Sequence, residues 1–407
     1  MTDQADNASE PVPARTSDQV ACPFCAMLCD DLSLPVHSLP GAADTLACAR
    51  ARAGFSAALA QRSRSPTIGG RETDWPQAVE HARTLLEASR LPLFHGLLGD
   101  LADAQGALRL AERYGGVIDH ADGDAMSVNL AVYQDSGWIC TSLGETRNRA
   151  DLVVLIGERI DDSLPRLRER LFDVAERLHT DAPADIVTLS EDPLNTLDEV
   201  RTLLRERPLP SPSSLSVDLH ERIRQCRYPV LVPLVAGQAD AELIVRAAAD
   251  LVRVLNEEHR AALLMMTTGA GGATAQQAST WHGGFGIRTS FAAGYPEQDL
   301  RRHAGHHLLA GDEADLLVWI STLDTNPPPP CNQPRIVIGH PATAFDDAPP
   351  DVFLPVAVPG VHRSGFIHRG DGLHMLPLQA LLKSTLPGTR ELVGQLLDTP
   401  AETNGSC

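Results

Sequence analysis

The chain has 407 residues, with 53 acidic against 34 basic side chains and a formal net charge of −19. That balance excludes a nucleic-acid backbone or an anionic membrane as partner, because both need a positive surface. No run approaches the ~20 unbroken apolar residues of a membrane helix, and 43% hydrophobic residues suffice to bury the core of two or three α/β units.

In chain order, residues 1–19 are polar, with Pro11, Pro13 and Asp18 and no apolar stretch of the secretory kind. They predict a frayed tail and a cytoplasmic protein. A cysteine-rich N-terminal segment follows over residues 20–65, ending in an apolar helix from Ala49 to Gln61 and the linker Ser63-Arg64-Ser65-Pro66. Asp74 to Ser89 has helical spacing, with Trp75, Ala78, Ala82, Leu85 and Leu86 along one face. An α/β rhythm then predicts one domain over 66–240 and a second over 241–340, with 341–407 packing back on the core. Strands are expected at Leu91 to Leu97, Val117 to Asp119, Asp151 to Ile156, Asp185 to Leu189, Tyr228 to Val235, Ala261 to Met266, Ala314 to Ile320, Arg335 to Ile338 and Val352 to Pro355. Helices are expected at Ala102 to Tyr114, closed by Gly115-Gly116, at Leu164 to Leu178 and at Ala241 to Leu255. The alternation implies parallel sheets with right-handed crossovers. Ligands then sit beyond the carboxyl ends of the strands, so Gly96, Gly157, Gly237 and Gly269 are candidate cleft walls.

The residues with the most distinct chemistry are Cys22, Cys25 and Cys29, in C-x2-C-x3-C spacing, with Cys48 further on. Without an export signal thiols stay reduced, and clustered cysteines then point to metal. Four thiolates in this pattern suit a 4Fe–4S cluster. Zinc competes, although structural zinc favours two paired knuckles; the third reading is an empty remnant with reduced thiols. Other features read as structure. Gly269-Ala270-Gly271-Gly272 lacks G-x-G-x-x-G spacing and a Walker lysine, and predicts a tight strand–helix turn. His303, His306 and His307, near His282, read as a surface helix face. His362, His368 and His374 carry no assigned chemistry, and Pro327 to Pro330 reads as a stiff loop.

Three blocks, in order, resemble the B-type subunit of formylmethanofuran dehydrogenase. The first is Cys22-x-x-Cys25-x-x-x-Cys29-Asp30-Asp31. The second runs from Thr141-Ser142-Leu143-Gly144-Glu145 to Asn148-Arg149-Ala150-Asp151, then Gly157 and Pro165-Arg166. The third is Phe353-Leu354-Pro355, Pro359-Gly360-Val361 and His368-Arg369-Gly370-Asp371-Gly372. Gly294-Tyr295-Pro296 is similar to a further family tripeptide. The resemblance covers nearly the whole chain. It implies a molybdopterin-oxidoreductase-like α/β fold of several parallel-sheet, Rossmann-like domains plus the small cysteine-rich segment.

In active members of the family this polypeptide holds tungsten or molybdenum on two pterin dithiolenes and a cysteine thiolate, with a cluster nearby. It interconverts carbon dioxide and a one-carbon unit on methanofuran. The ligating cysteine belongs to a C-H-G-P-like segment upstream of the second block. Here the matching stretch, Asp122 to Gly137, reads as a loop without cysteine or that histidine, and Ala125 or a near neighbour takes the ligand position. The departure implies that the metal–pterin group is absent. It points to the branch in which a B-like subunit is a non-catalytic, structural member of a bacterial formyltransferase/hydrolase complex. That complex moves a formyl group from tetrahydromethanopterin to a methanofuran-like carrier and releases formate. The implied partners are a hydrolase-like A subunit, a C subunit and a formyltransferase D subunit, with the carrier bound by partners. The alternative is a working tungsten or molybdenum dehydrogenase subunit, with Asp124, Ser127 or Cys140 as substitute ligand. Against that, Asp124 reads as a solvated loop acid and Cys140 as a small buried hydrophobe. Glu145 and Arg149 either contact a pterin or organise a turn.

Overall fold

The computed structural model describes residues 19–34, 41–173, 177–178, 183–345 and 348–397. The expected tail up to residue 18 and the thiol of Cys407 lie outside the described residues.

Long apolar runs become buried strands, as they must when helices cover both sheet faces. Pro92–Leu98, Leu316–Ser321, Arg335–Gly339 and Val352–Pro355 pair in parallel, with Val117–Ile118 on the other side of Pro92–Leu98. Antiparallel pieces complete both edges. Thr289–Ser290 pairs with Val117–Ile118 and Glu297–Gln298 follows it outward; Thr67–Ile68 pairs with Val352–Pro355 and Arg71–Glu72 follows it. The result is a nine-stranded sheet. A second, all-parallel sheet of four strands has the order Ala262–Leu263, Pro229–Pro233, Leu152–Ile156, Asp185–Leu189.

The sheets do not divide the chain at 240/241. Strands of the large sheet come from both flanking segments, while the small sheet draws on residues 152–263 and crosses that boundary. The α/β pattern is the same on either side, and strand order along the chain does not state which strands pair. Residues 119–288 instead form an insertion. It leaves the large sheet after Ile118 and returns at Thr289, which is paired with Ile118. Arg288 donates its backbone N–H to Ile118 O at 2.9 Å. Its guanidinium meets Asp119 at 3.4 Å, both side chains buried.

Helix ends follow local chemistry. Leu101–Tyr114 starts with a reciprocal capping box of Asp100 and Asp103 and ends at Gly115, whose φ of 66° is the left-handed conformation glycine adopts freely. Trp75–Ala88 is capped by the Asp74 side chain on Gln77 N, with proline in its first turn. Ala241–Leu255 buries Ile244, Val245, Ala248, Leu251, Val252 and Leu255 against the small sheet. The segment Leu164 to Leu178 is broken: its described part holds the short helix Leu167–Phe172. Among the described residues no helix is long and apolar enough to cross a membrane.

Candidate functional site

The stretch Asp122 to Gly137 is a helix, Gly123–Ser136, rather than a loop. Its start requires glycine, since a Cβ at Gly123 would lie 2.2 Å from Asp119 Oδ1. The first turns of this helix face the Pro233 to Gln238 stretch that follows a small-sheet strand, and the Met266-Thr267-Thr268 turn. Between them lies a cleft of about 210 Å³, and Ala125 lines it. The charged side chains of that lining are Asp122 and Asp124, with no lysine or arginine. Asp122 Oδ2 accepts the Thr268 hydroxyl at 3.3 Å, and His120 Nδ1 accepts Asp122 N–H at 3.0 Å. Burial holds the His120 imidazole below its usual pKa, so it stays neutral. Asp124, in the first helical turn, pairs with Arg288. Ser127 is turned the same way: its hydroxyl accepts from Arg288 Nη1 at 3.0 Å and donates to Asp124 O at 2.8 Å. Cys140 is exposed, not buried, because it sits on an edge bridge beside Leu263. The cleft thus offers a methyl group where a soft metal wants thiolate. It also offers two carboxylates where an anionic pterin phosphate wants cations. These residues do not fit the metal–pterin group.

A larger crevice opens where the strand order of the large sheet reverses direction, beyond the ends of Pro92–Leu98 and Leu316–Ser321. It encloses about 850 Å³, with His95, Trp319 and Asp324 in its wall. Such reversal points are where open α/β sheets bind ligands. Trp319 Nε1 and His95 Nδ1 are buried without a hydrogen-bond partner, and so is His340 Nε2 in the adjoining space. Burial pulls the His340 pKa down to about 3, so the ring is neutral. Sequence reasoning missed this trio, since only the pairing of distant strands brings it together.

The cysteine segment folds into a tight loop. Cys22 N–H donates to Cys29 O at 2.8 Å, and Gln19–Val20 pairs with Leu32–Ser33 around it. Cys22, Cys25 and Cys29 are buried, and Cys48 caps the Ala49–Ala60 helix. Phe24 packs edge-on against Phe55, 4.9 Å between centroids, over Gly54, where a Cβ would be 2.3 Å from the Phe24 ring. Burial pushes the Cys29 thiol up to about 12 and also raises Cys25. Cys22 is raised by burial and by the neighbouring Cys25. The four thiols therefore share a neighbourhood. No group of three or more His, Cys, Asp or Glu among the described residues is placed to hold a metal ion.

The three sequence blocks meet beside this loop. Asp31 and Arg166 form a bidentate pair at 2.8 and 2.7 Å, and Arg170 reaches Asp30 at 2.7 Å. Gly370 N–H donates to Ala26 O at 2.7 Å, and Gly370 O accepts Thr267 N–H at 3.0 Å. The buried Asp371 carboxylate pairs with Arg369 at 2.6 Å and accepts Leu143 N–H at 3.1 Å, at the start of the Leu143–Arg149 helix.

No family model matches the chain. Among curated proteins it is 28% identical to the B subunit of the formyltransferase/hydrolase complex Fhc of Methylorubrum extorquens, over 72% of this chain and 85% of that protein. It is 24% identical to the B subunit of tungsten-containing formylmethanofuran dehydrogenase 2 of Methanocaldococcus jannaschii, and 25% identical to that of Methanococcus maripaludis. Each match spans 87% of this chain and 91% of the relative. The chain is a homologue of these B subunits. Its fold matches a chain in the crystal structure of the FhcABCD complex of M. extorquens with methylofuran. The TM-score is 0.70 at 24% identity, over 82% of this chain and 97% of that one.

The remaining sequence candidates of this B-subunit homologue have structural places. Glu145 accepts from Thr141 Oγ1 at 3.2 Å and pairs with Arg260 at 2.8 Å. Arg149 lies in the last turn of the helix that carries Glu145. Gly269 to Gly272 is a strand–helix turn: a Cβ on Gly271, φ 75°, would sit 2.3 Å from Gly99 O. His303 is buried, in a turn ahead of the Gly305–Ala310 helix, and does not share the face of His307. Gly237 lines the cleft and Gly269 the space beside His340. Gly96 and Gly157 instead allow backbones to approach, with would-be Cβ atoms 2.8 Å from Ile320 O and 2.2 Å from Leu234 O.

Proposed function

We propose that this chain is the B subunit of a formyltransferase/hydrolase complex, serving it as a structural rather than a redox component. One observation carries the reading: Ala125 lines the cleft, and that lining holds no cysteine, lysine or arginine. Likeness to the Fhc B subunit in sequence, and to a chain of the FhcABCD complex in fold, supports it. In this role the chain works in the cytoplasm with hydrolase-like A, C and formyltransferase D subunits. The partners carry a formyl group from tetrahydromethanopterin to a methanofuran-like carrier, and formate is released. The four thiols at Cys22, Cys25, Cys29 and Cys48 are a 4Fe–4S site or its emptied remnant, and no step of the transfer runs through them.

The test is to purify the tagged chain from its own cells and analyse the assembly. Expected are A-, C- and D-like chains, formyltransferase activity and no more than traces of tungsten or molybdenum. Stoichiometric tungsten or molybdenum with pterin would install the dehydrogenase reading in its place, and recovery of the chain alone would remove the scaffold role. About four iron and four sulfide per chain marks a filled cluster; iron-free protein marks the remnant.

A further inference from the structure

Cations that the cleft lacks gather on another face. A groove of about 420 Å³ runs between the Leu101–Tyr114 helix, the first turn of Thr389–Leu397 and the Gly365–His368 strand. Ala102, Gln105, Gly106 and Arg109 line it at i, i+3, i+4 and i+7, one stripe of one helix. Gly106 keeps the floor low, since a Cβ there would lie 3.0 Å from Val393 Cγ2. Arg390 faces it from the opposing helix, and Arg363 and Phe366 close the end.

The three arginines differ in what they hold. Arg363 is tied to Asp100 and Asp103, at 2.7 Å each. Asp100 is the one acid in the lining, so its charge is already matched. His282 is likewise taken by Glu112, at 3.0 Å. Arg109 and Arg390 are exposed, and among the described residues neither has an ion pair or a side-chain hydrogen bond. Two unmatched guanidinium groups thus share one concave surface whose single acid is already paired. Guanidinium forks grip phosphate and carboxylate two-pronged. The volume falls in the range of about 300–1,000 Å³ typical of small-ligand sites.

We propose that this groove binds a small ligand bearing two or more oxyanions, with Arg109 and Arg390 as its grips and the half-exposed Phe366 as an apolar wall. Calorimetric titration of the full chain with pyrophosphate and, separately, citrate tests it at low salt. At least one probe should bind with a Kd below about 1 mM, and which one binds separates a phosphate from a carboxylate ligand. Arg109→Ala and Arg390→Ala should each weaken binding about tenfold, with circular dichroism unchanged. Failure of both probes to bind, or equal binding by the double alanine variant, overturns the proposal.

Discussion

At the junction of the three sequence blocks the charged groups are matched; in the cleft, Ala125 offers only a methyl group between two carboxylates. Asp31 holds Arg166, Asp371 holds Arg369 and the Leu143 amide, and Gly370 lies against Ala26. These contacts tie the cysteine loop, the Leu143–Arg149 helix and the antiparallel hairpin of Gly365–His368 and Met375–Leu378 together. The cleft lies close by, since Thr267 both lines it and donates to Gly370 O. Its walls carry no thiolate, lysine or arginine. The contrast teaches that the residues that hold a fold together and those that could bear chemistry are separable within one chain.

That contrast breaks if substitutions at the junction prove harmless. Asp371→Ala is expected to have the largest effect. It strips a fully buried carboxylate from Arg369 and leaves an amide unmatched, costing about 3–5 kcal/mol, read as a fall in the urea midpoint. Gly370→Ala comes next, at about 1–3 kcal/mol, because its Cβ would stand 2.8 Å from Ala26 Cβ and 3.0 Å from Thr267 O. Asp31→Asn should cost about 1 kcal/mol at neutral pH. Its pH dependence is the sharper readout. The Arg166 guanidinium holds the Asp31 carboxyl below its ordinary 3.8, so the pair stabilises fully above that value and fades as pH falls through the lower, folded-state pKa. The wild type should therefore lose more stability than the asparagine variant on acidification below pH 3.8; parallel curves would assign the pair no such role. Ala125→Cys should have the smallest effect on stability, within about 0.5 kcal/mol, and elemental analysis should still find no tungsten or molybdenum. Loading of the variant would mean that the missing thiolate alone, and not the acidic lining, closed the site.

Much of the fold is legible in the sequence. Asp185–Leu189, Ala241–Leu255 and Val352–Pro355 fall where apolar runs and flanking turn residues place them. The helix Gly123–Ser136 is not, because its buried residues, Gly123, Met126 and Val132, trace no clear stripe and its first residue is glycine. Cys140 is misread because a thiol amid apolar residues reads as core, whereas the bridge to Leu263 turns it outward. The position of Ala125 in a cleft follows from the family resemblance. The crevice with His95 and Trp319 does not, since it exists only once Pro92–Leu98 pairs with Leu316–Ser321. The Ala102 to Arg109 stripe is visible in the sequence, but nothing there announces that Arg390 will face it.

The buried Arg288–Asp119 pair stands where the polypeptide departs from and rejoins the nine-stranded sheet. Ile118 and Thr289 are paired neighbours on adjacent antiparallel strands, so a two-residue hairpin turn could join them directly. The excursion between them also packs back on the large sheet, since Ala275 and Ala278 of its Gly272–Gly283 helix share one apolar core with Leu97, Ala107 and Leu108. A direct turn at this point would therefore uncover part of the large sheet's own core, so the two sheets depend on one another for burial.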